Sequence, residues 1–153
     1  MAMTMQGEVV LPAGRDRVWS ALNDPAVLKS CIPGCQELEK TSETSFRAVA
    51  KLAIGPVKAT FKGAVTLSDL DPPNGYTISG EGQGGVAGFA KGGAKVRLDD
   101  AEGGTRLTYD VDAQVGGKIA QLGGRLINGV AKKYADEFFA NFAKALSPAE
   151  NPA

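Results

Sequence analysis

Apolar and polar positions alternate along much of this chain, and the alternation divides it into elements. From Thr105, residues Leu107, Tyr109, Val111, Ala113 and Val115 fall on one face, against Arg106, Thr108, Asp110, Asp112 and Gln114 on the other. A period of two with one apolar face marks a strand in a half-solvated antiparallel sheet. Gly116-Gly117 ends that strand, and the period changes. Leu122, Leu126, Val130, Tyr134 and Phe138 then recur every fourth residue, while Ile127, Ala131, Ala135, Phe139 and Phe142 widen the stripe. A helix of roughly 25 residues rises about 40 Å, enough to lie across a whole sheet.

The rest of the pattern is consistent with that pairing. Met5 to Leu11 reads as a first strand, and Asp16 is placed to cap a short helix through Leu22. Asn23-Asp24-Pro25 ends that helix and opens a second, which stops before Ile32-Pro33-Gly34. A short strand follows at Gln36 to Glu39. Alternating runs come next, at Ser45–Ile54, Lys58–Leu67, Tyr76–Gly82 and Ala94–Leu98, separated by Gly55-Pro56, Asp71-Pro72-Pro73-Asn74-Gly75 and a glycine-rich stretch. Short connections between successive strands make a meander, and the long helix must pack on its apolar side. The expectation is one α+β domain over residues 3–146, a sheet gripping a helix, with a frayed tail over 147–153.

The inward residues are small. Ala48, Ala50, Ala59, Gly63, Gly80, Gly82, Ala94 and Ala113 all fall on the apolar face. Close packing near 0.74 density would then need the helix to come very near, which Gly123, Gly124 and Gly129 permit. The alternative is a pocket between helix and sheet, lined by Trp19, Phe46, Phe61, Ile78, Tyr109, Leu126 and Tyr134, with Ala50 and Gly63 on its floor. Alternation alone leaves both readings open. The run Gly82–Gly93 lies between strands, opens no helix and lacks Gly-Lys-Ser or Gly-Lys-Thr, so it does not read as a phosphate loop. Phe89, the large aromatic among these glycines, is assigned to the rim.

Composition narrows the chemistry. Lys plus Arg and Asp plus Glu are 17 each, so no global field favours nucleic acid. There is no histidine, which removes the commonest acid/base, the commonest zinc ligand and every Ser-His-Asp or Cys-His device. Cys31 and Cys35 in Cys-Ile-Pro-Gly-Cys make a weak metal site and lack the C-x-x-C redox spacing. No catalytic residue, metal or cofactor is indicated. No secretory signal and no apolar run of membrane-spanning length is visible, so the expected compartment is the cytoplasm.

Several segments together resemble the family of the CoxG subunit of carbon monoxide dehydrogenase, within the START/SRPBCC (Bet v 1-like) superfamily. They are Gly7 through Val18-Trp19, Asn23-Asp24-Pro25, Cys31–Cys35, Ile54-Gly55-Pro56-Val57, Gly80–Gly85, Gly116–Gly123, Arg125-Leu126-Ile127 and Phe138-Phe139. The resemblance implies a helix-grip fold, seven antiparallel strands curved around the C-terminal helix with a hydrophobic cavity between. It also implies association with a molybdenum-containing CO dehydrogenase or related hydroxylase, and with the cytoplasmic membrane. The sequence stops at Ala153, so any membrane contact is expected to be peripheral. The leading expectation is a non-enzymatic carrier or adaptor for a lipid or quinone. A polyketide cyclase-like enzyme using Tyr76, Tyr109 and Tyr134, and a chaperone-like module with a solid core, stand as alternatives.

Overall fold

A computed structural model describes residues 2–146; the tail over 147–153 lies outside them. The elements run β1 (Ala2–Leu11), α1 (Arg15–Leu22), α2 (Pro25–Cys31), β2 (Cys35–Ser42), β3 (Ser45–Ile54), β4 (Val57–Asp71), β5 (Gly75–Gln83), β6 (Phe89–Ala101), β7 (Gly104–Gly116) and α3 (Gly124–Leu146). Single 3-10 turns occupy Gly85–Ala87 and Lys118–Leu122. All seven strands form one antiparallel sheet in the order β1-β7-β6-β5-β4-β3-β2. This is the helix-grip α+β architecture the alternation implies.

Sheet order explains the position of α1 and α2. Strands β1 and β2 are consecutive in sequence but form opposite edges, so the segment joining them must cross the whole sheet. The two short helices bridge its concave face at one end. Helix α2 starts as the sequence suggests, with Pro25 in its first turn and the Asp24 carboxylate accepting from Ala26 N–H at 2.9 Å. Helix α1 does not. Its N-cap is Gly14, without a side-chain cap, and Asp16 sits inside the first turn, where its charge still suits the helix dipole.

Register sets the inner face. One cross-strand row runs Gly7, Tyr109, Val96, Tyr76; the next runs Met5, Val111, Ala94, Ile78, Leu67. Phe46, Val65, Gly80, Gly92 and Ala113 follow, then Ala48, Gly63, Gly82, Ala90 and Val115. The long helix is shorter than its stripe. Gly123, at φ +92°, separates Leu122 from α3 and leaves that leucine on the preceding 3-10 turn.

The core is divided in two. One cluster joins Leu11, Val18, Leu22, Phe46, Leu67, Tyr76, Leu98 and Leu107 to Phe142 and Leu146 near the end of α3. The other gathers Phe61, Ala87, Val115, Ile119 and Ile127 around the two 3-10 turns and the start of α3. At the first end, Asn141 Nδ2 donates to Cys31 O at 3.0 Å, tying α2 to α3. At the second, Gly88 and Gly117 meet backbone to backbone; a Cβ on Gly117 would lie 2.5 Å from Gly88 Cα. Both glycines have positive φ, which side-chain-bearing residues rarely adopt.

Candidate functional site: an apolar cavity between the sheet and three helices

Residues of β2 to β7 and of all three helices enclose a cavity of about 280 Å³ beside the first cluster. Leu22 of α1, Leu28 of α2 and Ile32 just beyond it form one wall. Leu38, Phe46, Ala48, Val65, Leu67, Ile78, Val96 and Leu107 form the floor, and Phe138 and Phe139 of α3 the roof. Among the described residues, Tyr76 and Tyr109 are the only lining residues with a polar side-chain atom, and no charged residue lines the space. Its volume lies near the lower end of the range for small-molecule sites. A ring system or one chain segment fits it; a whole diacyl lipid does not.

Aromatic contacts shape the walls. Tyr109 stacks on Phe139 with ring centroids 5.4 Å apart and planes at 22°. Phe138 meets Phe139 edge-on at 5.0 Å and stacks on Phe142 at 5.5 Å. The Tyr109 ring lies across β1, where Gly7 makes room; a Cβ there would sit 2.5 Å from Tyr109 Cζ. Tyr109 and Phe139 also line an outer cleft of about 260 Å³ between β1 and α3, with Lys132 and Asp136 on its far side. The two stacked rings are therefore the partition between that cleft and the cavity. Behind Tyr76 stands Trp19, edge-on at 5.3 Å.

Of the residues expected from the sequence, Phe46, Ile78 and Tyr109 line the cavity. Trp19 supports the wall but does not reach the space. Ala50 and Gly63 lie on the inner face outside the cavity, Ala50 opposite Phe61 and Gly63 opposite Gly82. Phe61 belongs to the second cluster, its ring over Gly84. Leu126 packs on Gly55 of the β3–β4 turn and stays 36% exposed. Phe89 lies over Gly116 on the outer face of the sheet, 39% exposed. Tyr134 bonds to the backbone of β3: its hydroxyl accepts from Ala53 N–H at 2.9 Å and donates to Ala53 O at 3.2 Å. There β3 has run past the start of β2, whose pairing begins at Cys35 opposite Ala50, so the phenol satisfies an open strand edge. The sequence reading missed the α1–α2 wall and the Phe138-Phe139 roof as cavity residues. Their signal was topological: helices joining opposite sheet edges must face the inner side.

The site offers little acid–base chemistry. Burial raises the Tyr76 phenol well above its ordinary value, so it keeps its proton and can donate but not act as a base at neutral pH. Cys31 is buried and Cys35 half-buried, both as free thiols. Burial raises Cys35, against a smaller opposing effect of Lys29, and its Sγ donates to Glu37 O at 3.4 Å. Among the described residues no cluster of Cys, Asp and Glu is placed to hold a metal ion. A wider hollow of about 1040 Å³ opens on the outer face of the sheet, where Glu8, Asp69, Asp71, Lys95, Arg97 and Asp110 contribute. Its charges suit water better than an apolar ligand.

The family model for the CoxG subunit of carbon monoxide dehydrogenase matches residues 7–147, and so takes in every wall of this cavity. The chain belongs to the CoxG family. A solved structure of a conserved protein from Geobacillus kaustophilus is 34% identical, covers 94% of this chain and 95% of its own, and superposes with a TM-score of 0.88. Ara h 8.0201 shares the fold at TM-score 0.69 and 14% identity, with 95% of this chain and 98% of that one covered. The Zhui aromatase/cyclase from Streptomyces sp. R1128 shares it at TM-score 0.66 and 10% identity, with 95% and 94% covered. These last two likenesses show that this CoxG chain shares their fold. None of the curated proteins gives a significant match. Among the described residues no helix is long and apolar enough to cross a membrane.

Proposed function

We propose that this CoxG protein is a non-enzymatic carrier that binds an apolar small molecule, a lipid chain or a quinone, in the cavity beneath Phe138 and Phe139. It would serve a molybdenum-containing hydroxylase of the CO dehydrogenase type in the cytoplasm. The observation that carries the reading is the lining itself: among the described residues, aliphatic and aromatic walls, no charge, and two phenols as the only polar side chains. Such a surface releases ordered water when an apolar ring or chain fills it. A carrier of this kind would bring a cytoplasmic hydroxylase and a membrane-confined apolar acceptor such as a quinone together without doing chemistry itself. Family membership supports the choice of enzyme partner.

The test is a filled cavity. Ala48 lies on the floor, half-buried, so Ala48→Phe projects a ring into the space. Binding of an apolar fluorescent probe by the purified protein should fall at least about tenfold in this variant, with the fold retained. In a solid core the same substitution would overpack, at about 1–3 kcal/mol, and the wild type would bind no probe. The cyclase-like reading would instead require turnover of a polyketide-type substrate that Tyr76→Phe or Tyr109→Phe abolishes.

A further inference from the structure

The polar side chains that tie this fold together have partners in the protein. Thr105 donates to Ala13 O at 2.7 Å, Asn141 donates to Cys31 O at 3.0 Å, and the Tyr134 hydroxyl serves both backbone groups of Ala53. Tyr76 differs. It is only 7% exposed, yet its hydroxyl makes no hydrogen bond to any described residue. Its side chain stands on the inner face, in the row of Val96 and Tyr109, and packs in the core cluster edge-on to Trp19. Among the described residues no unpaired polar side-chain atom is sealed off completely. The hydroxyl therefore has an opening, and the space its inward side chain borders is the cavity.

Burying a hydroxyl without a partner is unfavourable, and a phenylalanine would fill the same volume without that cost. Burial also disfavours the phenolate, so at neutral pH the group is an O–H donor. Tyr109, the other phenol, is turned elsewhere. Its ring stacks on Phe139, and its hydroxyl reaches across β1 to Gly7, where a side-chain carbon would meet it. The cavity thus holds one free donor in an apolar wall.

That combination specifies an occupant. Among the described residues no charged group lines the cavity, so a carboxylate or phosphate inside it would stand unpaired. An alkyl chain leaves the hydroxyl unsatisfied. A ring with an uncharged carbonyl oxygen at its edge accepts from the hydroxyl and leaves the rest of its surface to the aliphatic and aromatic lining. We propose that the Tyr76 hydroxyl is the specificity element of the cavity, donating to a neutral carbonyl oxygen and so selecting a quinone-type ring over a lipid chain or an aromatic hydrocarbon of the same shape. This rests on the carrier reading and deepens it, because it chooses between the ligands that reading allows. Trp19, edge-on at 5.3 Å, is the positioning residue for the phenol ring.

The experiment compares two probes of one shape, 2,3-dimethyl-1,4-naphthoquinone and 2,3-dimethylnaphthalene, by equilibrium dialysis against the full chain. The methyl groups block addition of the free thiols of Cys31 and Cys35 to the quinone ring. The two probes differ in their solubility in water, so the readout is the change in their affinity ratio between proteins. Tyr76→Phe should lower the quinone-to-hydrocarbon ratio at least about fivefold, with the fold retained in its circular dichroism. The isotope-edited infrared band of the bound carbonyl should also lie lower in the wild type than in Tyr76→Phe, because donation weakens the C=O bond. A merely structural tyrosine would produce no such difference. A ratio and a carbonyl band that Tyr76→Phe leaves unmoved would overturn the assignment, as would a fall in the ratio for Tyr109→Phe and none for Tyr76→Phe. A wild type that binds neither probe overturns the carrier reading together with this one, whereas binding of both with an unmoved ratio overturns this one alone.

Discussion

The two ends of α3 enclose different things. Near Phe142 the helix faces α1 and α2 across large side chains, and about 280 Å³ of apolar space stays open. Near Ile127 it meets two 3-10 turns whose glycines touch backbone to backbone, and the cluster there closes around Phe61 and Ile119. Small residues made the tight end and large ones surround the open end. Enclosed volume is set by how far the bridging elements stand from the sheet, and glycine lets them come closer. A helix pair obliged to span from β1 to β2 stands further off than a glycine-hinged turn.

The first way to break this comparison is at Phe142, which is fully buried at the open end. Phe142→Ala should cost about 3–5 kcal/mol in urea unfolding; a cost below about 1 kcal/mol would mean that the cavity end is too loose to form a core. At the closed end, Gly117→Ala combines a φ of +83° with a Cβ 2.5 Å from Gly88 Cα. Gly123→Ala has a φ of +92° but open space around its Cβ. The backbone strain alone is worth about 1–3 kcal/mol, so Gly117→Ala should be the more costly of the two. Equal melting temperatures would show that the turn contact contributes nothing.

Smaller effects lie between the ends. Tyr134→Phe removes both hydrogen bonds to Ala53 and should cost about 1 kcal/mol, with faster hydrogen exchange of the Ala53 amide. Unchanged exchange would show that water serves this edge equally well. The smallest effect at neutral pH is at Tyr76. Its folded-state pKa is raised by burial, so the folded protein keeps a proton that the unfolded chain loses above about pH 10. Its contribution is complete below that pH and is lost as pH rises further. Tyr76→Phe should flatten the alkaline fall in stability; an alkaline limb identical to the wild type would contradict the burial.

Most of the fold could be read from residue spacing. Period two marked the strands, and the apolar period of the C-terminal segment marked α3, because each reflects the geometry of one element. The cavity was only partly legible. Phe46, Ile78 and Tyr109 followed from the inner face, but Leu28, Ile32 and Phe138 line the space because β1 and β2 are opposite edges, a fact of strand order that no local spacing records. Two other glycines serve aromatic contacts across the sheet: Gly84 lies under Phe61, and Gly116 under Phe89. Aromatic rings resting on glycine look like small-residue gaps until the partner strand is known.

Native mass spectrometry of protein purified from its own host, followed by organic extraction, tests the central claim most directly. The account predicts one apolar molecule per chain in the wild type and the bare chain mass for Ala48→Phe, with both proteins folded. A wild type that carries nothing, yields no apolar extract and loses stability on Ala48→Phe as a filled core would, contradicts it.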